Sequence, residues 1–442
     1  ARAYALDCET SPPKLKTNST TTSASYGTQP SATTDVLMIA LDMDNGSLFY
    51  GLNGSWFNSS DPTSNTSPAF SGLKTNATNY FAYCGDQWGA ASSQWTINFG
   101  QRPFTYTPPS GYKTLCTTNL PEPAIKQPNQ HFGVNTYTGT GSAQTITNSG
   151  TFQPDLVWIK CRNQAGYGHE LFDSIRGANN YLISNSTGAE GTAATSLTAF
   201  NSNGFSVGTW GFINGSGDTE VAWQWKGATS NTTNSSGSVT AIARVNQTAG
   251  FSVSVFTTPT SGTYTVGHSL SSTPNLVIFK SRGSGNWIVQ HSSTGTQYTI
   301  LNSTGAAASD SSVWNSAATS SVVNFGTGFS GYSGSSAVMY CWTAISGYSA
   351  FGSYTGNASS DGPFVYTGFK PRYILIKPTT QGAPGYDWFI YDTARDTYNL
   401  TVKELEANLS ITEDQYSADI DILSNGFKID RKSTRLNSSH TD

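Results

Sequence analysis

Residues 154–160 read PDLVWIK, residues 274–280 read PNLVIFK and residues 371–377 read PRYILIK. Each joins a proline to an apolar run of strand length and closes it with lysine; β-branched and aromatic content in so short a run favours strand over helix. Three such phrases in one chain mark an internal repeat. Working outward, a second strand precedes each phrase: VNTYTGTG from Val134, VSVFTTPT from Val253 and FGSYTGNA from Phe351. Paired features follow each, in HELFDSIRGANNYL from His169, NWIVQHSSTGTQYTIL from Asn286 and DWFIYDTARDTYNL from Asp387. A Gly-Phe pair then recurs at Gly204-Phe205, Gly328-Phe329 and Gly426-Phe427. The first two copies end in an aromatic strand, VAWQW to Trp225 and VMYCW to Trp342, and the third has none. With their prolines 120 and then 97 residues apart, the copies are domain-sized β modules, not short solenoid repeats.

Residues 42–57, DMDNGSLFYGLNGSWF, belong to the same class of structure. Asn-Gly occurs at 45–46 and again at 53–54, and between alternating apolar runs it predicts a hairpin with a type I′ turn. Leu37, Ile39, Leu41 and Met43 alternate into the first turn, and Leu48, Tyr50 and Leu52 alternate out of it, so one face of a meander is expected to be apolar. Composition agrees: charged residues are 11% of the chain, against about 25% in an ordinary soluble protein, and glycine is abundant at 44 residues. That balance favours many short strands with polar turns over long surface helices. The expected fold is all-β and multi-domain, built of antiparallel sandwich modules.

On this reading residues 1–34 are a polar remnant of a truncated domain, 35–123 a partial sandwich and 124–228 the first repeat module. Residues 229–249 form a Ser/Thr/Asn-rich linker, 250–346 the second module and 347–429 the third. The tail from Asp430, DRKSTRLNSSH, reads like the in-frame translation of a sequencing adapter, so 430–442 is set apart as an artefact. The third module would then lack its closing strand and leave a sheet edge unpaired, an aggregation liability.

A net charge of −4, from 23 basic and 27 acidic residues with no basic run in the body, argues against nucleic acid as a partner. No stretch approaches the roughly 20 apolar residues of a membrane span, so no membrane insertion is expected. Cys8, Cys84, Cys116, Cys161 and Cys341 lack paired spacing and are expected as free thiols, without a zinc site, with a Cys84 to Cys116 bridge as the alternative.

From Asp35, the strand with Leu41, the Asp44-Asn45-Gly46 turn, the Leu48 to Leu52 strand, the Asn53-Gly54 turn and the closing NFGQRPF at 98–104 together resemble the SPRY domain. The resemblance covers roughly 36–123 and implies a concanavalin-like two-sheet sandwich that binds partners, usually proteins, through loops at one edge and has no catalytic residues. The phrase NFGQRPFTYTPPSGYKTLCTTNLPEP followed by the triple module is similar to proteins of tailed bacteriophages that are virion or tail-associated.

Catalytic constellations are sparse. Glu170 and Asp173, or Asp387, Asp392 and Asp396, offer carboxylates for glycoside chemistry. Aligned, Asp173 meets Asp392 but faces His291, and Arg176 meets Arg395 but faces Thr294, so the Asp-x-x-Arg spacing is read as a turn held by a hydrogen bond or ion pair. DMDNG departs from an EF-hand loop, with Gly46 at position five and no glutamate at twelve. No metal and no cofactor are expected. Asp86, Gln87 and Trp88, in the glycine-rich CGDQWGAASS, are the candidate binding residues, because an aromatic beside polar groups can stack on a sugar or anchor a protein contact. The expected function is a non-enzymatic phage virion protein, part of a tail fibre or similar appendage. Its expected partners are a host surface protein or glycan, other virion proteins and further copies of itself. A surface adhesin and a polysaccharide-degrading enzyme are the alternatives.

Overall fold

The computed structural model describes residues 3–9, 11–76, 95–115, 119, 123–332, 334–359 and 361–430. The chain is all-β in architecture and forms two compact units, Ala1–Glu122 and Pro123–Asp442.

In the first unit β1 (Tyr4–Asp7), β2 (Lys14–Thr17) and β3 (Thr20–Ser23) make one antiparallel sheet. A second contains β4 (Leu37–Asp42), β5 (Ser47–Leu52) and β6 (Ser55–Trp56). Residues 1–34, expected as a polar remnant, therefore carry a sheet of their own; Leu15 and Tyr26 share one core with Leu48, Tyr50, Phe57 and Phe70. The Asn53-Gly54 turn is the expected two-residue hairpin, with φ of 50° and 87°. The first turn differs. Asp42 pairs with Ser47, so four residues form the loop, and Asp42 organises it by accepting from Asn45 N at 2.9 Å and Asn45 Nδ2 at 2.7 Å. The apolar face is only half covered: Leu48 and Tyr50 are buried, whereas Ile39 and Leu41 are 60% and 42% exposed.

The second unit holds the three repeats. Copy one contains β7 (Phe132–Thr138), β8 (Gln144–Thr147), β9 (Leu156–Cys161), β10 (His169–Asp173) and β11 (Asn180–Ile183). It continues with β12 (Gly191–Thr192), β13 (Leu197–Asn201), β14 (Gly204–Val207) and β15 (Thr219–Trp225). A large sheet of order β12-β11-β10-β9-β15-β7 covers a small one of order β13-β14-β8. Copy two opens with β16 (Thr232–Asn234), β17 (Ala241–Asn246), β18 (Phe251–Thr257), β19 (Tyr264–Gly267) and β20 (Leu276–Ser281). Then come β21 (Trp287–His291), β22 (Gln297–Ile300), β23 (Ala308–Ser309), β24 (Val322–Phe325) and β25 (Ser336–Trp342). Its large sheet runs β16-β17-β18-β25-β20-β21-β22-β23, beside the pair β19-β24. Residues 229–249 are thus no linker: their polar composition hides two strands, of which β17 buries Ala241 and Ala243. Gly328-Phe329 also departs from its counterparts, lying in a 3-10 turn while Gly204-Phe205 and Gly426-Phe427 open strands.

Copy three is a single sheet, β26-β31-β30-β29-β28-β27. Its strands are β26 (Asp361–Tyr366), β27 (Tyr373–Ile376), β28 (Phe389–Asp392), β29 (Thr401–Glu406), β30 (Asp414–Leu423) and β31 (Gly426–Asp430). Where β9 has β15 and β20 has β25 as second neighbour, β27 has no such strand among the described residues.

Why the repeated phrases are continuously apolar is now plain: each strand is buried on both faces. Val157 and Ile159 face a core private to copy one, and Leu156 and Trp158 face a core common to all three copies. Val277 and Phe279 against Ile278, and Ile374 and Ile376 against Tyr373 and Leu375, divide the same way. The common core gathers Trp158, Trp223 and Trp225 from copy one, Tyr340 and Trp342 from copy two, and Trp388 and Leu405 from copy three. The closing lysines cap it: Lys160 Nζ donates to Cys161 O at 2.6 Å, Lys280 Nζ to Ser281 O at 2.7 Å and Lys377 Nζ to Pro378 O at 2.8 Å.

Candidate functional site

The polar residues singled out in the sequence lie mostly at the junctions between copies. Copy two docks on copy one through Trp287, whose Nε1 donates to Ile183 O at 2.9 Å, and copy three docks on copy two through Trp388, whose Nε1 donates to Ile300 O at 3.0 Å. The corresponding residue of copy one is His169, and at this junction Ser184 Oγ of copy one donates to Ala407 O of copy three at 2.6 Å, which closes the cycle. Backbone bonds repeat the pattern: Glu190 N donates to Arg282 O at 2.8 Å, Ala307 N to Thr379 O at 2.8 Å and Glu413 N to Arg162 O at 2.7 Å. The three copies are therefore arranged as a pseudo-threefold ring within one chain. Within each copy an asparagine places the docking residue: Asn185, Asn302 and Asn408 accept from the backbone N of His169, Trp287 and Trp388 at 2.9, 2.8 and 2.8 Å.

Asp173 and Asp392 are the hubs of two of these junctions. Asp173 accepts from Arg176 N at 2.9 Å and pairs with the Arg176 guanidinium; Asp392 accepts from Arg395 N at 2.9 Å and Arg395 Nε at 2.6 Å. The expected Asp-x-x-Arg turn is present in both, with both side chains fully buried. Each arginine then reaches a glutamate, Arg176 to Glu190 at 3.0 Å and Arg395 to Glu413 at 3.1 Å. Those glutamates receive an arginine from the neighbouring copy, Arg282 and Arg162 respectively. Sequence alone could not show this second half, because Arg162 and Glu413 are 251 residues apart. Copy two replaces the pair with His291 and Thr294, and His291 Nδ1 accepts from Ser293 N at 3.1 Å.

The remaining carboxylates also serve local structure. Asp387 accepts from Asn408 Nδ2 at 2.6 Å, and Asp396 accepts from the backbone N of Val402 and Lys403 at 2.8 and 2.7 Å. Glu170 is buried beside Ile159, and burial pushes its carboxyl up to about 8. Asp86, Gln87 and Trp88 lie outside the described residues.

One group of reactive side chains was not anticipated. Register pairs Glu220 of β15 with Cys161 of β9, and Asp218 precedes the same strand. Cys161 Sγ and one carboxylate oxygen each of Asp218 and Glu220 lie within 4.8 Å of one another. All three residues are buried, and neither Glu220 oxygen has a hydrogen-bond partner outside this set. Asp218 is tied to its loop by Gln164 Nε2, which donates at 2.7 Å. This set is the one group of donors among the described residues whose spacing suits a metal ion. A separate shallow groove of about 400 Å³, lined by His131, Lys226, Thr232, Asn246 and Ser269, offers amides and hydroxyls to a polar ligand.

No curated protein matches the chain, and no solved structure matches it. One family model does, over residues 127–442, which begin just inside the second unit and take in all three copies. On that match the chain belongs to the family described as Domain of unknown function (DUF7483).

Proposed function

We propose that the protein is a non-enzymatic structural and binding component of a tailed-phage virion, of the tail-fibre or appendage type, which contributes to recognition of a host surface protein or glycan. The observation that carries this reading is the fate of the carboxylates. Asp173 and Asp392, one from each carboxylate group that the sequence offers for hydrolysis, are each fully buried against an arginine and hold neighbouring copies together. Glycoside hydrolysis by a carboxyl pair needs two such groups about 5 to 9.5 Å apart across a bond that substrate can reach. The three-copy ring provides stiffness instead, a property suited to an appendage. The SPRY-like marks of residues 36–123 and their phage-like continuation supply the class of particle.

Glycan-array and whole-cell binding by the full chain tests the reading. Saturable binding that falls on Trp88→Ala supports recognition through residues 86–88. Release of reducing sugar from host polysaccharide, lost in Glu170→Gln, would overturn the non-enzymatic assignment, and absence of binding to every cell and glycan would overturn recognition.

A further inference from the structure

We propose that Cys161, Asp218 and Glu220 form a binding site for a thiophilic divalent cation of the zinc class, built into copy one alone. The argument begins with the internal comparison that the repeat supplies. In copy two, Ala337 of β25 pairs with Ser281 of β20 in the register that joins Glu220 to Cys161, and Ser335 occupies the place of Asp218. The same local fold thus forms with two hydroxyls and a methyl group. A thiol and two carboxylates are not required to build it, and burying two acids side by side opposes folding unless something offsets their charge.

The second observation is the state of Glu220. It has no solvent exposure, and its oxygens face the thiol and the other acid with no hydrogen-bond partner outside the set. A buried carboxylate without a partner is rare and points to a missing ligand or a bound proton. Tetrahedral zinc bonds of about 2.0 to 2.3 Å hold their donor atoms about 3.3 to 3.7 Å apart, so donors within 4.8 Å close on an ion through small side-chain rotations. Thiolate donation selects zinc-like ions over calcium and magnesium, which take oxygen donors in larger number. Three protein donors leave a fourth position for water, reached from the Asp218 side, where 7% of the residue remains exposed.

The test uses the full chain, stripped with chelator and titrated with cobalt(II), then with zinc(II). The expected result is one equivalent of cobalt with a thiolate charge-transfer band, displaced by zinc and untouched by calcium or magnesium. Cys161→Ser and Glu220→Ala copy the residues of copy two and are expected to fold; each should weaken zinc binding by at least about tenfold. Should either fail to fold, Glu220→Gln keeps the volume and carries the same expectation. Absence of the band in the unmodified chain, or its persistence in Cys161→Ser through another thiol, would overturn the proposal.

Discussion

Trp223 Nε1, on the closing strand of copy one, donates to Asp392 Oδ2 of copy three at 3.1 Å, and Tyr340 Oη, at the same position of copy two, donates to Asp173 Oδ2 of copy one at 2.8 Å. One aromatic position thus performs one task at two junctions: it places a neutral donor on a buried carboxylate that already binds an arginine.

Removing that carboxylate strands the arginine in the core. Asp392→Ala is expected to cost about 3 to 5 kcal/mol, the range for breaking a buried pair from one side. Copy two shows that the position tolerates a solution without the ion pair, in His291 and Thr294. The double variant Asp392→His, Arg395→Thr should therefore be less destabilised than Asp392→Ala, despite changing more atoms. Denaturant titration of the three proteins decides the matter; equal losses in single and double variants would refute the coupling.

The glutamates that bridge copies differ from the arginines that reach them. Glu190 neutralises buried Arg176 and also meets Arg282, whose side chain is 30% exposed. Glu190→Ala leaves a buried guanidinium short of a partner, whereas Arg282→Ala removes a solvent-screened contact worth about 1 kcal/mol or less. The glutamate variant should have the lower Tm, by several degrees. A larger effect from Arg282→Ala would mean that the backbone bond from Glu190 N to Arg282 O depends on that side chain.

The sequence made the strands legible but not their partners. PDLVWIK, PNLVIFK and PRYILIK announce buried strands through their apolar content, and the same property conceals which face meets which core, since alternation vanishes when both faces are covered. Asp-x-x-Arg was readable because the pair is local; its glutamate and the second arginine join it only after the copies dock. Cys161 and Glu220 escaped notice for a related reason, as strand register brings together residues that no motif spacing connects. Linker composition misled at 232–246, where the edge strand β16 is Thr-Thr-Asn and β17 beside it turns only the small side chains of Ala241 and Ala243 to the core.

Four buried groups away from the proposed cation site, Glu170, Glu406, Lys280 and Lys377, are together expected to contribute least to stability near pH 8. Burial raises Glu170 and Glu406 from 4.5 to about 8, so below pH 4.5 their contribution is full, and it is lost as pH rises through 8. Burial also lowers Lys280 and Lys377 from 10.5 to about 8; their contribution is full above 10.5 and is lost as pH falls through 8. Glu170→Gln should flatten the limb between pH 5 and 8, and Lys280→Met the limb between 8 and 10, in Tm measured against pH. Parallel curves for variant and parent would show that these groups keep ordinary titration in the fold.

The edge of β27, which has no second neighbouring strand among the described residues, makes the last prediction. Thr393 N donates to Arg372 O at 3.1 Å, and the register opposes Ile374 to Tyr391, so alternate residues from 372 bond to β28 while the N–H groups of Tyr373 and Leu375 point the other way. In copies one and two that side is filled by β15 and β25, each ending in a tryptophan of the common core. A vacant ladder beside apolar side chains favours pairing with another chain. The protein is expected to self-associate as concentration rises, and a peptide with the β15 sequence TEVAWQW should compete, while a scrambled peptide should not. Leu375→Pro removes only an outward N–H from the ladder and should suppress association without undoing β27 to β28 pairing. Sedimentation velocity reads both effects; a monomer at every concentration, indifferent to the peptide, would show that side chains already close this edge.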